Sequence, residues 1–273
     1  MIIDGKKIAN EIFVELRSRV QRLSFVPVFA DVVVGDDPVS LQYVGVKERA
    51  AKTLGIEFLK SLLPASATSE EVISEIQRLS SVPNICGIIV QLPMPKTVDT
   101  HAILSSIPQK LDVDVVGEKA SSAFYSGVSN LVPPTAGAVV QILESTGNFT
   151  DKKIVVVGKG LLVGKPVVKL LENLNLVPTI IDRQTQNPKD ILLSADVIIS
   201  GAGAPGFITG DVVKEGAIII DAGTAESEGS IVGDVDTASV APKASFLSPV
   251  PGGVGPVTVA KLYENVLRNA ESA

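Results

Sequence analysis

Tyr43 and Lys47 stand four residues apart in the run Tyr43-Val44-Gly45-Val46-Lys47. On a helix that spacing puts a phenol and an ammonium on one face. Such a pair can move protons when desolvation lowers a lysine's pKa. On a surface it is only an exposed lysine one turn from a half-buried tyrosine. Gln91 closes the continuous apolar run 85–90 and precedes Pro93-Met94-Pro95. It is therefore expected at the carboxyl end of a buried strand, where α/β folds bind ligands, or as an amide capping a turn. Asp112 and Asp114 alternate along 111–116. In a strand they would share a face, either as a metal or acid/base pair or as a solvated edge.

A second group of motifs suits a nucleotide. Val155-Val156-Val157 runs into Gly158-Lys159-Gly160-Leu161-Leu162-Val163-Gly164, a strand entering a glycine-rich turn and then a helix. Glycines let backbone approach a pyrophosphate, and the helix start offers free N–H groups and partial positive charge. The spacing G-x-G-x-x-x-G is one residue longer than the usual dinucleotide fingerprint. The next strand ends at Asp182-Arg183. An acid there suits a ribose 2′-hydroxyl and an arginine suits a 2′-phosphate, so the pair points both ways. Finally, Ser248-Pro249-Val250-Pro251-Gly252-Gly253-Val254-Gly255-Pro256 forms a stiff, side-chain-poor loop that can bring backbone close to a ligand.

The elements that must position these residues alternate. Apolar residues at helical spacing fall in 8–23, 40–54, 68–79, 136–145, 164–175, 188–195 and 257–269. Thr68 and Glu71 have capping-box spacing. Strand-like runs cover 27–34, 56–63, 85–91, 153–157, 178–182, 197–200 and 217–221. Alternation of this kind predicts an α/β layer fold. The stretch 118–130 has no clear period, and the domain boundary is expected within 115–135.

The chain has 273 residues, 45% of them hydrophobic, enough for one large or two small cores. A net charge of −6 disfavours nucleic acid as a partner. One cysteine, Cys86, and one histidine, His101, exclude an internal disulfide and any multi-cysteine or two-histidine metal centre. Cys86 is expected in the core and His101 on the surface. The acid and two lysines in Met1–Lys7 do not read as a signal peptide, and no apolar run reaches the ~20 residues of a membrane span. A cytoplasmic protein without metal or membrane partner is expected.

Taken together, these residues resemble the methylenetetrahydrofolate dehydrogenase/methenyltetrahydrofolate cyclohydrolase family of the bifunctional FolD type. The resemblance covers nearly the whole chain in the family's motif order: Val34-Gly35-Asp36-Asp37-Pro38 through Tyr43 and Lys47, then Gln91-Leu92-Pro93-Met94-Pro95, Asp112-Val113-Asp114, the long glycine turn, and Pro249–Pro256. It implies two α/β domains flanking a cleft. The first is a folate-binding catalytic domain of residues 1–120 completed by 256–273. The second is a Rossmann-like NAD(P)-binding domain of 121–255, through which family members commonly form homodimers.

The resemblance also implies the chemistry: oxidation of 5,10-methylenetetrahydrofolate to the methenyl form, then hydrolysis to 10-formyltetrahydrofolate. Lys47 would handle the proton of the second step, Gln91 would orient it, Tyr43 would stack on the aminobenzoyl ring, and Asp114 would accept from the pterin. Pro251, Gly252, Gly253 and Thr258 would line the folate site. Gly158, Lys159, Gly160, Leu162, Val163, Gly164, Asp182, Arg183 and Thr224 would hold the cofactor. Lys159 and Gly160 replace the family's usual arginine and serine. Lys159 with Arg183 could pair with a 2′-phosphate, so NADP is expected, with NAD open. Two alternatives stand beside this reading: a two-domain dehydrogenase of another small substrate, such as a shikimate-type hydroxy acid, and a non-catalytic nucleotide sensor.

Overall fold

A computed structural model describes residues 1–227 and 230–273. By compactness they fall into two units, each with its own parallel sheet. One unit comprises Glu11–Pro134 and Val259–Ala273; the other comprises Met1–Asn10 and Thr135–Thr258. The division by compactness falls at 134/135, at the far end of the 115–135 stretch. Two hydrogen bonds explain why the intervening segment stays with the first unit: Asn265 Nδ2 donates to the carbonyls of Val113 at 2.8 Å and Val132 at 2.7 Å. The first ten residues join the second unit because Ile3 N donates to Leu247 O at 2.9 Å and Gly5 N to Gly252 O at 3.1 Å.

The first unit begins within α1 (Gly5–Val20) and continues through β1 (Val28–Val34), α2 (Pro38–Leu54), β2 (Glu57–Leu63), α3 (Ser69–Ser80), β3 (Ile85–Val90), α4 (Thr100–Ser106) and α5 (Glu118–Tyr125). Its sheet has the order β2-β1-β3, all parallel. Every residue of β1 is buried, as a central parallel strand requires. The helices start where the sequence offers caps. Asp37 accepts from Ser40 N at 2.7 Å ahead of Pro38, and Thr68 and Glu71 form the expected capping box. Gly55, at φ +79°, ends α2 in the left-handed conformation. Residues 118–125 lacked an evident period but form α5, which buries Ala120, Ala123 and Phe124.

The second unit contains α6 (Pro134–Ser145, which starts at the division), β4 (Ile154–Val157), α7 (Gly164–Asn173), β5 (Thr179–Ile181), α8 (Pro188–Leu193), β6 (Val197–Ser200), β7 (Ile218–Asp221), the short pair β8 (Ala225–Ser227) and β9 (Ser230–Val232), α9 (Thr237–Val240) and β10 (Phe246–Ser248). Its main sheet runs β10-β7-β6-β4-β5, again all parallel. The chain passes from β4 outward to β5 and then back to the other side of β4. That reversal makes the carboxyl ends of β4 and β6 a ligand-binding position of an open α/β sheet. The last helix, α10 (Val254–Glu271), carries the chain back to the first unit.

Candidate active site

In the first unit the reversal of strand order lies between β1 and β3. Gln91 follows β3 there, and its backbone N–H donates to Val32 O of β1 at 2.8 Å. Its side-chain amide donates to Leu92 O at 3.0 Å, which leaves the amide oxygen as the free acceptor. Lys47 Nζ donates to that oxygen at 2.7 Å. Lys47 is not an exposed lysine. It lies on the inward stripe of α2 with Val44, Ala51 and Leu54, and only 6% of it is accessible. Tyr43, one turn earlier on the same face, is half-buried, and burial raises its phenol. The backbone under Lys47 is tied to α10, since the buried Tyr263 hydroxyl donates to Lys47 O at 2.6 Å.

A carboxylate without an expected role completes the cluster. Asp31, in the middle of β1, is fully buried, and its Oδ2 lies 2.7 Å from Lys47 Nζ. Burial raises its carboxyl and the Lys47 charge opposes that rise. The signal was present in the sequence: one acid inside Val28-Phe29-Ala30-Asp31-Val32-Val33-Val34 must find a partner once the strand is buried.

The two later aspartates part company. Neither lies in a regular strand; an isolated bridge from Asp112 to Ile88 is followed by a turn in which Val115 takes φ +59°. Asp112 is fully buried and spends its carboxylate on backbone, accepting from Gly117 N at 2.7 Å and Val116 N at 3.4 Å. It shapes the turn and is no partner for a metal or an acid/base dyad. Asp114 is half-buried and accepts no hydrogen bond from the described residues. Desolvation and the nearby Asp112 push it up to about 6, against the pull of Lys47. A free acceptor beside a buried lysine is therefore what the turn presents.

In the second unit the glycine turn follows β4. Gly158 has φ +101°, and a side chain there would meet Gly201 O at 2.7 Å. A side chain at Gly164 would meet Gly158 O at 2.0 Å, so the start of α7 packs directly on the turn. A side chain at Gly160 would meet only Gly201 O, at 4.0 Å, and so has room that those two lack. Leu162 is exposed and Val163 half-buried against Gly201. The neighbouring 201–204 loop is held by buried Asp234, which accepts from Ser200 Oγ at 2.6 Å, Ala202 N at 2.8 Å and Ala204 N at 2.6 Å. Thr224 is exposed after β7.

The acid at the end of β5 is already occupied. Asp182 Oδ1 accepts from Gln184 N at 3.0 Å and Thr185 Oγ1 at 3.1 Å, and Oδ2 pairs with Lys159 Nζ at 2.6 Å. The Lys159 bond holds the Asp182 carboxyl below the ordinary range. Arg183 is exposed and, among the described residues, has no ion-pair partner. An engaged carboxylate with two flanking cations favours a phosphate over a bare ribose hydroxyl.

The proline–glycine loop also lies in the second unit. Pro251 is exposed and Gly252 takes φ +102°. Buried Gly253 donates to Pro249 O at 2.8 Å. Gly5 has no space for a side chain, because a Cβ would meet Gly253 O at 1.8 Å. Thr258 spends its hydroxyl proton on Val254 O at 3.2 Å within α10. Cys86 is buried in the core of the first unit and His101 is exposed on α4.

Comparison with known proteins bears on both units. The family profile described as tetrahydrofolate dehydrogenase/cyclohydrolase, catalytic domain, matches residues 3–114. The profile described as tetrahydrofolate dehydrogenase/cyclohydrolase, NAD(P)-binding domain, matches residues 133–273. The chain is 39% identical over 269 residues to a bifunctional protein FolD of Clostridium botulinum, covering 97% of this chain and 95% of that one. It is similar to the crystal structure of the bifunctional FolD enzyme from Campylobacter jejuni, with a TM-score of 0.93, 33% identity, and coverage of 100% and 99%. The Trypanosoma brucei FolD structure, complexed with NADP cofactor and inhibitor, aligns with a TM-score of 0.92 and 34% identity, covering 100% and 97%.

Proposed function

Because the chain belongs to the tetrahydrofolate dehydrogenase/cyclohydrolase family, we propose that it oxidises 5,10-methylenetetrahydrofolate with NADP and hydrolyses the methenyl product to 10-formyltetrahydrofolate. The observation that carries this reading is the buried Lys47, held at 2.7 Å by Gln91 and at 2.7 Å by Asp31. A non-catalytic nucleotide sensor has no use for a buried lysine so held. A dehydrogenase of another small substrate is disfavoured because both family profiles match, the catalytic one as well as the nucleotide-binding one.

The residues divide the work. Tyr43 supplies a ring face for the aminobenzoyl group. Asp114, with no protein donor of its own, accepts from the pterin amino and ring N–H groups, which suits a carboxylate facing two parallel donors. Gln91 fixes the position of Nζ. In the ring-opening step Lys47 takes a proton from the water that adds to the methenyl carbon and returns one to the nitrogen that leaves. In the second unit Pro251, Gly252, Gly253 and Thr258 offer mainly backbone to a ligand.

The glycine turn fits the cofactor. Gly158 and Gly164 pack against backbone, while the space at Gly160 and the α7 N-terminus stand open to a pyrophosphate. Lys159 and Arg183 suit the 2′-phosphate, with Asp182 paired to Lys159, while Leu162, Val163 and Thr224 line the rest of the cofactor. When bound, NADP supplies the hydride acceptor for the oxidation.

No helix of the described residues is long and apolar enough to cross a membrane, which suits action in the cytoplasm. A homodimer through the cofactor domain is supported by the unpaired edge of β5, flanked by Leu174, 45% exposed, and Val177, 94% exposed. Lys47→Met tests the site assignment. Nicotinamide reduction should continue while methenyl-tetrahydrofolate accumulates. Normal ring opening in that variant would remove Lys47 from the mechanism.

A further inference from the structure

Among the buried carboxylates of the described residues, Asp31 alone lacks backbone donors. Asp112 is satisfied by the turn that follows it. Asp221 accepts from Gly223 N at 3.0 Å, Asp234 N at 3.2 Å and Val235 N at 3.0 Å, and Asp234 from Ser200, Ala202 and Ala204. Those groups hold loops. The Oδ1 of Asp31 has no partner among the described residues, and its Oδ2 has only the Lys47 ammonium, 2.7 Å away but off hydrogen-bond alignment. A carboxylate in the centre of an apolar strand is costly, and the side chain adds nothing to the ladder that its backbone joins. By strand alternation it faces the side of β1 that carries Phe29, which α2 and α10 cover.

We propose that Asp31 is a positioning residue for ring opening: it pins Lys47 Nζ against Gln91 and stores, through Lys47, the proton released when water adds to the methenyl carbon. The inference rests on the cyclohydrolase reading given above. Of the three N–H directions of Nζ, Gln91 takes one and Asp31 lies beside a second at 2.7 Å, so the third is left for water.

The step balances as follows. Nζ first gives the proton on its Asp31 side to Oδ2 and, as a neutral amine, rotates about the Cε–Nζ bond so that its lone pair faces the water; the water oxygen then bonds to the methenyl carbon as one water proton passes to Nζ. Lys47 is thereby an ammonium again, and the net charge removed is that of the carboxylate. When the bond from carbon to the pterin nitrogen breaks, the stored proton returns to Nζ and Nζ protonates that nitrogen. The adduct's hydroxyl proton leaves to solvent as the formyl carbonyl forms, which accounts for the one proton the reaction releases.

The groups facing Asp31 suit this task. From α2 comes Lys47, from the turn between α4 and α5 comes Asp114, and from α10 comes the Tyr263 phenol. Lys60, the register partner of Asp31 on β2, is exposed. Burial raises the Asp31 carboxyl, which makes it a better proton acceptor than an ordinary aspartate.

The test compares Asp31→Asn and Asp31→Val with the wild type on the full chain, following both steps with methylene- and methenyl-tetrahydrofolate. Asn keeps the size and removes the charge; Val restores an apolar strand and carries the test if Asn does not fold. Ring-opening kcat should fall about 100-fold with KM within about threefold, so that the ratio of ring opening to oxidation drops at least tenfold. The acid limb of ring-opening kcat, where Asp31 becomes protonated before it can accept, should vanish in the variants. An unchanged ratio, equal loss of both steps, or a persisting acid limb overturns the inference alone. A wild type that neither oxidises nor opens the folate overturns the functional reading, and this inference with it.

Discussion

Replacing Lys47 by Met should destabilise the first unit in a pH-dependent way, and the size follows from Asp31. That carboxylate is fully buried, and among the described residues Lys47 is the only cation on it. Without Lys47 the charge has no compensation, and the group takes up a proton on folding instead. Protonating an aspartate of ordinary pKa costs about 4 kcal/mol near pH 7 and about 1.5 kcal/mol near pH 5. The upper figure agrees with the ~3–5 kcal/mol typical of breaking a buried ion pair from one side. The folded pKa lies above the unfolded one, so the variant binds more protons when folded. Its deficit is therefore smallest at acid pH and grows as pH rises toward the folded pKa. Urea unfolding near pH 5 and near pH 7 measures both values. Near neutrality the melting temperature should fall by roughly 8–16 °C. The double variant Asp31→Val/Lys47→Met, with no buried charge, should recover most of the loss. A deficit below about 1 kcal/mol near pH 7, or one equal at both pH values, would refute the claim that Asp31 depends on Lys47.

Three further outcomes test other parts of the site. Lys159→Ala or Arg183→Ala should raise KM for NADP about 10- to 100-fold and KM for NAD much less, because a charge-assisted bond to phosphate contributes ~1.5–3 kcal/mol; equal effects on both cofactors would show that neither residue reads the 2′-phosphate. Asp114, raised to about 6, should lose its carboxylate as pH falls through that value, so KM for the folate should climb on the acid side. A flat KM profile in the wild type, or an unaltered limb in Asp114→Asn, would separate Asp114 from substrate binding. Gly164→Ala places a methyl 2.0 Å from Gly158 O and should abolish NADP binding measured by calorimetry, while wild-type affinity would contradict the packing described for the turn.

Much of this was legible in the residues because their periods and caps leave few options. The capping box at Thr68 and Glu71, the apolar runs of β1 and β3, and the glycine turn before α7 all state their elements locally. Three features were not local. The helix at 118–125 has only alanines and Phe124 as its buried face, too faint a stripe to read alone. The role of Asp112 depends on N–H groups of Val116 and Gly117 that come within reach only when Val115 adopts a left-handed conformation. The burial of Lys47 required α2 to turn its Val44–Leu54 stripe toward β1, and the partner that permits it, Asp31, lies on another element. An acid inside an apolar strand was the one overlooked clue that a single sequence could supply.

The most direct measurement is an absorbance assay of the purified wild type with 5,10-methylenetetrahydrofolate and NADP or NAD. Reduced nicotinamide is followed continuously, and the acid-stable methenyl intermediate is quantified after quenching. Reduction should occur with NADP favoured, with little methenyl at any time and 10-formyltetrahydrofolate as the product. No reduction with either cofactor, or methenyl accumulating as the end product, would contradict the proposed function.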